Sequence, residues 1–138
     1  SEMCIRDRYM NVSKNKLFYE NYNELCDCAF CCFYIENIEN QYHDLSHILN
    51  KWGIDIKKPF EAPIPYLEKD NIIFPFAQYI VMGKYSKDII DNIVNEKITL
   101  ARNYPDPKID EDYFIIEIGP ILFNKNLARK DLLLELGE

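Results

Sequence analysis

Glycine is scarce in this chain, four residues in 138. They are too few and too dispersed for a loop whose bare backbone cradles phosphate, and neither a P-loop nor a dinucleotide fingerprint occurs. A serine-hydrolase G-x-S-x-G elbow and an H-E-x-x-H metalloprotease helix are missing too. Basic clusters are also lacking. Sixteen Lys and Arg are scattered among 23 Asp and Glu, giving a formal net charge of −7. Such a field repels phosphate backbones and anionic headgroups, so neither nucleic acid nor a membrane is an expected partner. No apolar run approaches the ~20 residues that cross a bilayer. These absences describe an acidic, cytoplasmic protein without a recognisable catalytic constellation, and an enzyme is the less favoured expectation.

What is present is enough apolar material for a core. The composition is 48% hydrophobic, with ten Tyr and eight Phe, and aromatics bury large areas each. The length suits one domain. The first eight residues are set aside. "MCIRDR" at 3–8 is what one reading frame of a common sequencing-library adapter encodes, so 1–8 reads as an adapter-derived artefact, which removes Cys4 from consideration. The domain is then expected over 9–123. The leucine-rich stretch 124–138 forms either a docking helix or a truncated segment.

Along the domain, "LFYENY" (17–22) alternates and predicts a first strand. After Asp27 the apolar residues recur at three- and four-residue steps through Phe30, Tyr34, Ile38, Leu45, Leu49 and Trp52. That period predicts one long amphipathic helix over about 28–52, capped by Asp27 and ended by Gly53 with Ile54 in a Schellman-type stop. A proline-rich stretch follows and reads as loop with a short edge strand. Ala77–Gly83 is the expected central strand. "SKDIIDNIVNE" (86–96) reads as one or two helical turns opened by Ser86. "KITLAR" (97–102) and "YFIIEIGPILF" (113–123) read as two more strands. The fold class is therefore α+β, the long helix packed on a small, mainly antiparallel sheet.

The chemistry-bearing stretch is "CDCAFCC" at 26–32, four of the five cysteines in seven positions. With His43 and His47 it nearly matches the two-Cys, two-His zinc-finger spacing. On one helix, however, Cys31 and His43 stand about 18 Å apart, and ligands of one zinc lie ~2.0–2.3 Å from the ion. The histidines face solvent opposite the apolar stripe, and the finger is excluded. Cys28 and Cys31, at i and i+3, are neighbours in the first turn, and Cys26 folds back toward them. Cys32 points about 100° away. Three readings stand: reduced thiols acting as small buried hydrophobes; a thiolate site for Zn or Cu(I) made by Cys26, Cys28 and Cys31; or a C-x-x-C redox pair at a helix N-terminus. Asp110–Glu111–Asp112 reads as a solvated loop. Glu117, alternating with the isoleucines of its strand, reads as an outward carboxylate opposite a Lys or Arg.

"CDCAFC" (26–31), "WGIDIKKPFE" (52–61), "QYIVMGKY" (78–85) and "YFIIEIGPI" (113–121) together resemble a family of small bacterial proteins of unknown function. Its pattern is C-D-C-x-[YF]-C, then G-I-D-I-x-K-P-x-E, then Q-Y-x-V-x-G. The resemblance implies no activity, but it places the three cysteines inside a motif and the histidines outside it. The expected function is a non-catalytic binding or interaction module with an unidentified protein partner. The alternative is a Cys-thiolate metal-binding protein, and a thiol-redox protein stands third.

Overall fold

The computed structural model describes the backbone of residues 2–5, 8–84 and 97–138, with side chains from Met10 onward. The expected helical turns at 86–96 lie outside the described residues. Glu2–Ile5 (β1) and Arg8–Asn11 (β2) pair antiparallel and lead straight into a helix, Val12–Asn21 (α1). Asn11 caps it, its Oδ1 accepting the Lys14 amide at 2.9 Å.

The strand expected at 17–22 is thus the second half of a helix. Its local alternation gives way to the helical spacing of Asn15 and Tyr19, one turn apart and both buried, while Leu17 stays 62% exposed. Both side chains reach across to β5, Ala77–Met82. Asn15 Oδ1 accepts the Met82 amide at 2.6 Å and its Nδ2 donates to the Trp52 carbonyl at 2.8 Å. The Tyr19 hydroxyl donates to the Ile80 carbonyl at 2.6 Å. Local propensity lost to these tertiary bonds.

The long helix is two helices, Ala29–Gln41 (α2) and His43–Lys51 (α3), parted at Tyr42 (φ −127°, ψ 56°). No glycine or proline marks the break. Tyr42 is held out of helical geometry by β8, Ile121–Asn124. Its hydroxyl accepts the Leu122 amide at 2.9 Å, and its ring meets Phe123 edge-on. The apolar period survives the break because Phe33, Tyr34, Ile38, Leu45 and Leu49 all reach the same core.

The end of α3 follows the expectation. The Ile54 amide bonds the Leu49 carbonyl and the Gly53 amide bonds that of Asn50, the Schellman pair. Gly53 has φ +82°, and a Cβ there would meet the Val12 carbonyl at 2.6 Å. A side chain is excluded twice over, by conformation and by space.

Two three-stranded antiparallel sheets complete the α+β fold. In one, β4 (Asn71–Phe74) lies between the edge strand β3 (Tyr66–Glu68) and β8. In the other, β7 (Tyr113–Ile118) lies between β5 and β6 (Ile98–Leu100). The expected central strand is therefore central in burial but not in order. All six β5 residues are buried, and its outer side is covered by α1 and by bridges Met10–Gly83 and Glu61–Gln78. The single strand expected at 113–123 divides at Gly119–Pro120 into β7 and β8, one in each sheet. The tail forms a short helix, Lys130–Glu135 (α4), and docks through buried Leu132.

Inside, a hydroxyl relay ties three elements. Tyr34 of α2 donates to the Tyr79 hydroxyl at 2.7 Å, and Tyr79 of β5 donates to the Ile56 carbonyl at 2.6 Å. Glu117 meets an amide where a Lys or Arg is expected. It accepts from buried Gln78 at 2.9 Å, its partner across the β5–β7 ladder.

Candidate metal centre

After α1 the chain runs to α2 through residues 23–28, of which only Leu25 is half-covered. The helix begins one residue later than expected. Cys28, not Asp27, is the cap: it is extended (φ −66°, ψ 162°) and its Sγ accepts the Cys31 amide at 3.4 Å. A thiol stands where an Asx or Ser oxygen ordinarily satisfies a free amide. Anchored by Phe33 and Tyr34 one turn on, this first turn is fixed in space while its outer side stays open.

The i, i+3 spacing sets Cys28 beside Cys31, and the preceding loop turns Cys26 back onto them. The three sulfurs lie within 4.8 Å of one another, the one group of three or more His, Cys, Asp or Glu ligands among the described residues. Cys32, a hundred degrees round the helix, is outside it. Its thiol donates to the Asp27 carbonyl at 3.5 Å. His43 and His47 are exposed on α3 and line a separate cleft of about 840 Å³ with Lys16, Asp55 and Lys57. The structure joins the three candidate cysteines and leaves the histidines apart. Asp110–Glu111–Asp112 is exposed, as its composition indicates.

The cysteines are not packing residues. Cys26, Cys28 and Cys32 are exposed, Cys31 is half-buried, and all four are free thiols. The expectation that they serve as small buried hydrophobes fails because in this first turn Phe30, not the cysteines, is packed against the core. Electrostatics separate Cys28 from Cys31. Partial burial pushes the Cys28 thiol up, but hydrogen bonds from the Cys31 amide and from the thiols of Cys26 and Cys31, with the Phe30 amide, outweigh it. Cys28 ends below its ordinary value. Cys31 is pushed up, by burial first and then by its hydrogen bonds to Cys26 and Cys28. The Cys28 thiolate is thus favoured over that of Cys31, at the positive end of a thirteen-residue helix.

Chemically, this is a soft sulfur donor set that becomes anionic on losing its thiol protons. A tetrahedral zinc with ~2.3 Å bonds holds its sulfurs about 3.8 Å apart, so a group already within 4.8 Å has at most about an ångström to close. Sequence spacing found these residues. It did not find Asn15, whose two bonds fix α1, because a mid-helix Asn carries no local signature of its partners. No protein-family model matches the chain, and no curated protein or solved structure matches it either.

Proposed function

We propose that this chain is a small non-catalytic binding protein whose ligand is a thiophilic metal ion, Zn(II) or Cu(I), held by Cys26, Cys28 and Cys31. The observation that carries the reading is the convergence of three solvent-reachable sulfurs within 4.8 Å at a helix N-terminus. Thiolate ligands select these two ions among the common ones. Metal binding needs the thiols deprotonated, and the arrangement favours deprotonation of Cys28. On this reading the C-D-C-x-[YF]-C motif, shared with the small bacterial proteins the chain resembles, is a ligand set.

The test is titration of the reduced chain with Zn(II) and, anaerobically, Cu(I), followed by thiolate-to-metal absorption in the near ultraviolet and by competition with a chelator. One ion per chain is expected. Cys26→Ser, Cys28→Ser and Cys31→Ser each lower the affinity at least tenfold, while Cys32→Ser and His43→Ala/His47→Ala leave it unchanged. Equal binding by the three-cysteine variant contradicts the proposal.

A further inference from the structure

Whether the ion sits in a closed, fold-holding site or an open one is decided by what surrounds the three sulfurs. We infer that the corner is a three-coordinate site suited to Cu(I), open on its fourth side to solvent or to an incoming soft ligand. The inference rests on the metal-binding reading above and narrows it.

Three observations carry it. First, all donors come from one six-residue stretch, and among the described residues no fourth His, Cys, Asp or Glu joins the group. Structural zinc sites are almost always four-coordinate and closed by protein ligands. A soft monovalent ion bound by three thiolates needs no fourth. Cys32, the nearest spare thiol in sequence, is turned to the Asp27 carbonyl. Bringing it in would unwind the turn that the Cys32 amide closes on the Cys28 carbonyl at 2.9 Å.

Second, the site lies outside what holds the fold together. None of the cysteines belongs to either hydrophobic cluster. The turn is anchored from behind by Phe33 and Tyr34, both buried in the core cluster, which contains no cysteine. A structural ion contributes folding free energy outright. Here the first turn is capped already, by the Cys28 sulfur itself.

Third, the open side is accessible. Cys26 and Cys28 are exposed, with Asn23, Glu24 and Asp27 around them equally solvated. Among the described residues no bulky side chain roofs Cys26 or Cys28, so an incoming thiolate has a path to a bound ion. The accessible fourth side makes the site one from which an ion is exchanged rather than stored.

X-ray absorption on the full chain tests it, with one equivalent of Cu(I) loaded anaerobically and, separately, one equivalent of Zn(II). The Cu(I) form is expected to show three sulfur neighbours, unchanged in Cys32→Ser and reduced to two in Cys26→Ser. The Zn(II) form is expected to show three sulfurs and one light atom from solvent. Circular dichroism of the metal-free chain is expected to match that of the loaded one. A four-sulfur shell with either ion, whether completed by Cys32 or by a second copy, overturns the open site but leaves metal binding standing. So does a metal-free chain that has lost its helices. Failure of the wild type to retain either ion beyond the Cys26→Ser/Cys28→Ser/Cys31→Ser level overturns the inference together with the reading beneath it.

Discussion

The buried polar groups around β5 and the exposed thiols at the start of α2 are opposite uses of hydrogen-bonding side chains. Around β5, Asn15, Tyr19, Tyr34 and Tyr79 are shut away from water and each is bonded to a named partner. Leaving such a group unpaired costs ~1–3 kcal/mol, so these bonds fix where α1 and α2 sit. At the α2 corner, the sulfurs bond to one another and to local backbone, and among the described residues none bonds a distant partner. The first region holds the structure; in the proposal made above, the second holds an ion. Stability and binding should therefore come apart under mutation.

The largest loss of stability is expected at Gly53. Gly53→Ala forces a Cβ into the Val12 carbonyl at φ +82°, and urea unfolding should show roughly 3 kcal/mol lost. Ion affinity per folded molecule should not change. Next comes Tyr79→Phe, which strands the Ile56 carbonyl and removes the acceptor of Tyr34. About 1–3 kcal/mol is expected by the same measurement. Cys26→Ser lies at the other end. Without metal it should shift stability by under about 0.5 kcal/mol, as an exposed position does, yet weaken ion binding at least tenfold. A Cys26→Ser chain that fails to fold would erase the contrast.

The two regions also part in their response to pH. Burial raises Tyr19, Tyr34 and Tyr79 above the ordinary phenol value of 10.0. A raised folded-state value means that the folded chain keeps protons the unfolded chain releases. Their contribution is then complete below pH 10 and is lost as pH climbs above it. Melting temperature should fall across that alkaline range, and less steeply in Tyr34→Phe. The cysteine corner responds nearer neutrality. Iodoacetamide should label Cys28 ahead of Cys31, in the order of their lowered and raised thiols, as read by peptide mass spectrometry. The smallest effect is expected at the surface pair Lys14–Glu111, where Glu111→Gln should be within about 0.5 kcal/mol of wild type.

How much of this was legible in the sequence follows the same division. The cysteine group was readable because its geometry is local: two residues at i, i+3 and a third two positions earlier need only a helix start. The Schellman stop at Gly53 was readable for that reason too. The break at Tyr42 was not, since its cause lies eighty residues away at Leu122. Nor was α1, where alternating aromatics imitate a strand until Asn15 and Tyr19 find β5. The partner of Glu117 was missed because strand pairing, not strand pattern, decides it. Apolar period carried the core across the Tyr42 break but was blind to the break itself. The exposure of the cysteines, which removes the packing explanation, depends on where the core begins and was equally out of reach.

Native mass spectrometry beside denatured mass spectrometry tests the central claim most directly. It would use chain purified reduced, without a polyhistidine tag, exposed to one equivalent of Zn(II) or Cu(I) and then desalted. The expected result is one ion per chain, lost on denaturation and absent from a Cys26→Ser/Cys28→Ser/Cys31→Ser variant that keeps the native charge-state distribution. A reduced wild-type chain that retains no ion, or a folded variant that retains as much as wild type, would contradict it.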